Sequence, residues 1–222
     1  DIKKPITCII GGAKVSTKIG LIKNLIPKFD NIIIVGGMAN NILNFNGKII
    51  GKSIKEDNCE KIISEIFHIL KNHSCIITYP EDVMVGKHTE DVSKIKELNE
   101  ITEDDLILDI GPKTINKIKN IIENSETVLW NGPAGYFENP KFANGSIKIA
   151  QKIIENNKSK KIYSVAGGGD TVSLLNSLNA IKNFNLHRFY GYSFRIKSTD
   201  YKDSIGLAAD EILRLDRNNL EP

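Results

Sequence analysis

One segment near the start of the chain defines the architecture: Ile6-Thr7-Cys8-Ile9-Ile10-Gly11-Gly12-Ala13-Lys14-Val15-Ser16-Thr17-Lys18-Ile19. A run rich in β-branched residues comes first, a glycine pair follows, and apolar residues at helical spacing begin at Ile19. A short apolar run predicts a buried strand, and the spacing after it predicts an amphipathic helix. The segment therefore predicts a strand, a glycine loop and a helix, in that order.

The same alternation recurs along the chain. Short β-branched runs lie at residues 31–35, 75–78, 106–109, 127–130 and 161–165. Apolar residues at helical spacing lie between them, as in Ile19, Ile22, Leu25 and Ile26, in Ile62, Ile63, Ile66, Ile69 and Leu70, and in Ile115, Ile118, Ile121 and Ile122. Alternating strands and crossover helices are typical of parallel sheets. We therefore predict a doubly wound, mainly parallel six-stranded sheet with helices on both faces, a Rossmann-like three-layer α/β fold.

The composition excludes several classes of protein. The 222 residues are 41% hydrophobic and 26% charged, and 30 Lys+Arg against 27 Asp+Glu leave a net charge of +3. This balance disfavours disorder and a dedicated nucleic-acid binder. The 3 cysteines build neither a disulfide framework nor a four-cysteine zinc site, and no apolar run is long enough to cross a bilayer. We expect a cytoplasmic protein with no nucleic-acid or membrane partner.

Glycine follows five of the six predicted strands. The loops are Gly11-Gly12-Ala13-Lys14, Gly36-Gly37-Met38-Ala39-Asn40, Asp109-Ile110-Gly111-Pro112, Trp130-Asn131-Gly132-Pro133-Ala134-Gly135 and Ala166-Gly167-Gly168-Gly169-Asp170-Thr171. Loops at the carboxyl ends of parallel strands meet at one edge of the sheet, where ligands bind. Glycine lets the backbone approach a ligand, and N–H groups at a helix start attract anions. Any single loop would also fit an ordinary turn, but the five together indicate a nucleotide site.

Three charged residues in or after these loops are candidates for phosphate and metal binding. Lys14 and Lys18 share one helical face if a helix has begun by Lys14, and their ammonium groups would then neutralise a polyphosphate. Lysines at this spacing also fit a solvated helix face. Asp170, at the predicted start of a helix, is a candidate magnesium ligand or a helix cap.

Competing motifs fit the sequence poorly. The segment Gly47-Lys48-Ile49-Ile50-Gly51-Lys52-Ser53 is one residue shorter than a Walker loop requires. The dinucleotide pattern of glycines does not follow the first strand, which disfavours a nicotinamide enzyme. None of the 4 histidines has a second histidine or a carboxylate at a persuasive metal-binding spacing.

Five motifs stand in the order found in one enzyme family, and through them the chain resembles the C-terminal nucleotide-binding domain of phosphoglycerate kinases. They are Gly11-Gly12-Ala13-Lys14-Val15-Ser16-Thr17-Lys18-Ile19, Gly36-Gly37-Met38-Ala39-Asn40, Ile50-Gly51-Lys52-Ser53, Trp130-Asn131-Gly132-Pro133-Ala134-Gly135-Tyr136-Phe137-Glu138 and Gly167-Gly168-Gly169-Asp170-Thr171. The resemblance implies reversible phosphoryl transfer in glycolysis, in which ATP and 3-phosphoglycerate give ADP and 1,3-bisphosphoglycerate.

The resemblance also implies roles for individual residues. Lys14 and Lys18 would be catalytic, because Lys14 stabilises the transferring phosphoryl group and Lys18 holds the nucleotide phosphates. Asp170 would bind Mg²⁺ through the nucleotide. The implied nucleotide-binding residues are Gly12, Ala13, Lys18, Gly36, Gly37, Gly111, Asn131, Pro133, Gly135, Glu138, Gly168, Gly169, Asp170 and Thr171. Within this set, Gly36, Gly37 and Gly111 would shape the adenine pocket.

The sequence departs from the family in two places. The N-terminal domain that binds 3-phosphoglycerate in the family has no counterpart in the 222 residues, so we expect a monomer that binds ATP or ADP without turnover by itself. From residue 186 the family pattern is lost. We expect residues 1–185 to form the nucleotide-binding domain and residues 186–222 a divergent, poorly ordered tail, for which a reading-frame change near Asn183 is one explanation. The alternative function is a non-catalytic nucleotide-binding module or degraded pseudoenzyme.

Overall fold

The computed structural model describes residues 3–12, 16, 18–89, 92–160 and 162–185. Its strands are β1 (Ile6–Ile10), β2 (Asn31–Ile34), β3 (Ile76–Thr78), β4 (Asp82–Gly86), β5 (Lys94–Glu97), β6 (Leu106–Ile110), β7 (Thr127–Asn131) and β8 (Tyr163–Gly167). Its helices are α1 (Ile19–Leu25), α2 (Gly37–Phe45), α3 (Glu60–Leu70), α4 (Pro112–Glu123), α5 (Asn144–Ser159) and α6 (Gly169–Ser177). The predicted tail at residues 186–222 lies outside the described residues.

A parallel sheet forms the middle layer. Its strand order is β3-β2-β1-β7-β8, and β1 pairs in parallel with both β2 and β7. One hydrophobic core packs α1, α2 and α3 on one face of this sheet, and a second core packs α4, α5 and α6 on the other. Because central parallel strands are covered on both faces, β1 is buried at every position, as its short run rich in β-branched residues predicts. The three-layer α/β arrangement is confirmed.

The prediction of six parallel strands is wrong at residues 106–109. There β6 pairs antiparallel with β4, and β4 also pairs antiparallel with β5, so the three form a separate sheet. Within the described ranges the parallel sheet therefore has five strands. The first three residues of β6 are only half-buried and line a cavity. An apolar run beside a cavity has the same sequence pattern as a buried parallel strand, which explains the error.

No described helix is both long enough and apolar enough to cross a bilayer.

Candidate nucleotide site

A cavity of about 470 Å³ lies at the carboxyl ends of the central strands. The loops after β1, β2 and β7 and the start of α6 form one part of its lining, and β6 forms another. The predicted site residues that line it are Gly12, Gly36, Gly37, Pro133, Gly135, Glu138 and Asp170. The fold thus brings together residues from four separate predicted loops, as expected for strand ends at one edge of a parallel sheet.

Backbone hydrogen bonds join the loops into one continuous edge. The Gly11 N–H donates to the carbonyl of Asn131 at 2.8 Å, and the Gly36 N–H donates to the carbonyl of Ala134 at 3.1 Å. These bonds connect the loops after β1, β2 and β7 to one another, although the loops are far apart in sequence. The cavity edge is therefore held by the backbone itself.

Lys18 lies at the carboxyl ends of β1 and β7. Its Nζ donates to the Gly11 carbonyl at 3.1 Å and to Asn131 Oδ1 at 3.3 Å. Burial lowers the pKa of the Lys18 ammonium group. The helix α1 begins at Ile19, directly after Lys18. Lys14 and Ala13 lie outside the described residues.

The start of α6 brings a carboxylate to the cavity. Asp170 is exposed in the first turn of α6 and lines the cavity, whereas Gly169 and Thr171 do not line it. Thr171 is fully buried, and its Oγ1 accepts a hydrogen bond from the Gly132 N–H at 2.7 Å. The Thr171 hydroxyl thus ties the loop after β7 to α6. A Cβ atom on Gly168 would lie 2.9 Å from the side-chain oxygen of Asn131, so these two predicted residues are direct neighbours.

Gly111 is not brought to this cavity. It is buried against the carboxylate of Asp82, which accepts hydrogen bonds from the N–H groups of Lys113 at 2.9 Å and Thr114 at 2.8 Å. Asp82 therefore caps the start of α4, where N–H groups lack intrahelical partners. Gly111 gives that carboxylate room, and the neighbouring Ile110 lines the cavity instead.

One wall of the cavity is apolar, and no role was predicted for it from the sequence. This wall includes Ile54, Leu106, Leu108 and Tyr136, of which Tyr136 is 42% exposed. Two of these positions lie at or in the recognised motifs, because Ile54 follows Ser53 and Tyr136 lies within the motif that ends at Glu138. Their proximity to the motifs was the available signal. Their common function as one wall depends on contacts between distant segments.

The arrangement has an apolar end and a charged end. Apolar side chains suit a planar base, while Lys18, Asp170 and the N–H groups that start α6 suit phosphates and a cation. No group of three or more metal-ligating side chains occurs among the residues that the structure describes. Mg²⁺ commonly takes one or two carboxylates and completes its shell with waters and substrate phosphates. The single carboxylate of Asp170 therefore fits a magnesium ion carried by a nucleotide.

Comparison with known proteins gives a consistent match. The phosphoglycerate kinase family profile matches residues 1–190. A phosphoglycerate kinase of Wolbachia pipientis from Culex pipiens is 41% identical over 175 residues, covering 78% of this chain and 44% of the relative. One from Bradyrhizobium diazoefficiens is 37% identical over 214 residues, covering 96% of this chain and 53% of the relative. The chain thus spans about half the length of the curated relatives it matches.

Solved structures agree with this match. The structure of phosphoglycerate kinase from Coxiella burnetii has a TM-score of 0.78 and 33% identity, covering 83% of this chain and 47% of that one. The enzyme structure from Pyrococcus horikoshii has a TM-score of 0.63 at 22% identity, which supports the fold alone. The family profile covers most of the 222 residues, and four of the five motifs lie at strand ends. The chain therefore belongs to the phosphoglycerate kinase family.

Proposed function

We propose that this chain supplies the nucleotide-binding half of an enzyme that transfers a phosphoryl group reversibly between ATP and the carboxylate of 3-phosphoglycerate. Family membership supports the kinase activity. One observation supports assigning the nucleotide to this chain: a single cavity is lined by an apolar wall and by residues from four glycine-containing loops, including Asp170. A cytoplasmic location remains a prediction.

In this proposal the base binds against the apolar wall and the phosphates extend toward Lys18 and the start of α6. The half-buried side chains of Leu106 and Leu108 suit the faces of a planar base. Lys18 is held by two oxygen acceptors at the strand ends, close enough to Gly12 to neutralise a phosphate beside that loop. Glu138, which lines the same cavity, would contact the ribose hydroxyls.

The transfer requires positioning rather than a protein nucleophile. In the ATP-forming direction, a β-phosphate oxygen of ADP bonds to the acyl-phosphate phosphorus of 1,3-bisphosphoglycerate. The bond from that phosphorus to the carboxylate oxygen breaks, which leaves 3-phosphoglycerate. Charge spreads over the transferring oxygens in a loose transition state, so fixed cations lower the barrier. Lys18 and Lys14 would supply that charge from this chain. A magnesium ion bound by Asp170 and the nucleotide would add further neutralisation.

The acceptor site is proposed to lie in the part of the relatives that this chain does not match. In that case the 222-residue polypeptide, tested alone, binds Mg-ADP without turnover, because domain closure is needed to exclude water and to bring the acceptor into line. Adding a polypeptide that corresponds to the remainder of a relative would restore activity. Nucleotide binding without recovered activity would favour the alternative, a non-catalytic nucleotide-binding module.

The direct test is calorimetric titration of Mg-ADP into the wild-type chain and into a Lys18→Ala, Asp170→Ala variant. We expect saturable binding to the wild type and its loss in the variant. A matched control is Lys28→Ala, Asp57→Ala, which also removes one cation and one anion, at exposed positions that do not line the cavity. Equal affinities of the two double variants would contradict the proposed phosphate end.

A further inference from the structure

Asp109 is a buried carboxylate to which neither the family motifs nor the proposed mechanism gives a role. It lies in β6, lines the cavity and is 2% exposed. Its Oδ1 accepts a hydrogen bond from the Ile110 N–H at 2.9 Å, and its Oδ2 accepts one from the Gly145 N–H at 2.7 Å. Gly145 is in the first turn of α5, where N–H groups lack intrahelical acceptors. The carboxylate therefore links the antiparallel sheet to a helix that packs on the parallel sheet.

Two glycines make room for this carboxylate. A Cβ atom on Gly145 would lie 2.4 Å from Asp109 Oδ1, and one on Gly135 would lie 2.3 Å from the Leu108 carbonyl oxygen and 2.6 Å from Asp109 Oδ1. Gly135 belongs to the loop after β7 and also lines the cavity. The next residue, Tyr136, donates its N–H to the carbonyl of Leu108 at 2.7 Å. Asp109 is thus the point where β6, the loop after β7 and α5 meet.

Asp82 provides an internal comparison. It is also a buried carboxylate in the antiparallel sheet, and it also accepts N–H groups at the start of a helix. Unlike Asp109, it does not line the cavity. The two aspartates therefore share a stabilising function, and of the two only Asp109 lines the cavity and lies against Gly135 of the loop after β7.

We propose that Asp109 is the positioning residue of the nucleobase end of the site. Its carboxylate holds the Gly145 N–H at the start of α5 and packs against Gly135, which fixes β6 beside residues 133–138. The inference rests on the proposed nucleotide-binding function, since the base is the part of the ligand that would occupy this end. Asp109 acts through the walls that it holds together and makes no contact with the reacting phosphoryl group.

The test compares Asp109→Asn with Asp82→Asn, using adenosine, Mg-ADP and magnesium pyrophosphate as calorimetric probes. Asparagine keeps the shape but has one acceptor oxygen, so one of the two N–H groups loses its partner. We expect Asp109→Asn to weaken adenosine and Mg-ADP binding about tenfold, the scale of one hydrogen bond to a charged group, and to leave pyrophosphate binding unchanged. Asp82→Asn should lose comparable stability and keep wild-type affinity for all three probes.

A second pair of variants covers the case in which Asp109→Asn does not fold. In Gly135→Ala the new methyl group would meet the Leu108 carbonyl and the Asp109 carboxylate, so β6 would shift from the loop after β7 and the same selective loss of adenosine affinity is expected. Its control is Gly20→Ala, where a Cβ atom meets nothing within 4 Å. Equal losses for adenosine and pyrophosphate, or equal effects of the Asp109 and Asp82 variants, would overturn the role of Asp109. Absence of Mg-ADP binding by the wild-type chain would overturn the proposed function as well.

Discussion

Thr171→Val tests whether the Thr171 hydroxyl holds the cavity edge together. The Thr171 Oγ1 accepts the Gly132 N–H at 2.7 Å, and both residues are buried. Valine has nearly the same shape as threonine but offers no acceptor, so the Gly132 N–H would be left unpaired. An unsatisfied buried donor costs about 1–3 kcal/mol. We therefore expect the free energy of unfolding to fall by about 2 kcal/mol, the middle of that range.

The assay is denaturant unfolding followed by the fluorescence of Trp130. This residue is the 1 tryptophan of the sequence, is fully buried, and donates its indole N–H to the Gly132 carbonyl at 2.8 Å. Thr171→Ser is the matched control, because it keeps the hydroxyl and removes one methyl group, at a cost of about 0.8 kcal/mol. If the valine variant unfolds within about 0.5 kcal/mol of the wild type, the hydroxyl does not stabilise this edge.

Three further predictions concern the antiparallel sheet that forms one wall of the cavity. Burial raises the pKa of Asp109 from 3.8 to about 7, so the folded state binds this proton more tightly and the residue's contribution to stability falls as the pH rises through that interval. Between about pH 4 and pH 7, the unfolding free energy of the wild type should therefore fall by up to about 4 kcal/mol relative to that of Asp109→Asn. Denaturant titration at each pH measures this difference, and a difference that does not change with pH would contradict the raised pKa. Ser53→Ala should lower the unfolding free energy by about 1–3 kcal/mol, because the Ser53 hydroxyl accepts the Ile107 N–H at 2.8 Å; stability unchanged by this substitution would show that water replaces the hydroxyl. Phe142→Ala should cost about 3–5 kcal/mol by thermal or denaturant unfolding, since the ring is fully buried near Gly86, and a loss below about 1 kcal/mol would mean that the site refills.

The prediction from sequence was most accurate where the signal was local. The runs at residues 31–35, 75–78 and 127–130 correspond closely to β2, β3 and β7, and the apolar spacing after residue 18 corresponds to α1. These elements follow from side-chain chemistry repeated at a fixed period. The strands β4 and β5 were not predicted. They are short, and β5 has charged residues at three of its four positions, so neither resembles a buried parallel strand.

The candidate site was predictable as a set of loops and less so as individual contacts. Glycine after successive strands located one edge of the sheet, and seven of the implied residues line the cavity found there. Gly111 follows a strand of the other sheet and does not line the cavity, so its contribution to the adenine pocket stays a prediction. Thr171 was assigned to the nucleotide, whereas its hydroxyl binds a backbone N–H within the protein. A sequence cannot distinguish a polar side chain that faces a ligand from one that satisfies a neighbouring loop.

Local patterns were sufficient for the layered α/β class, the central strands and the motifs of the family. Contacts between distant segments settled how β6 pairs, which apolar residues form a core and which form the cavity wall, and why Asp109 is buried between Gly135 and Gly145. The physical reason is that periodicity reports the surroundings of a residue only as apolar or polar. The direction of a neighbouring strand and the presence of a cavity are properties of the assembled layers.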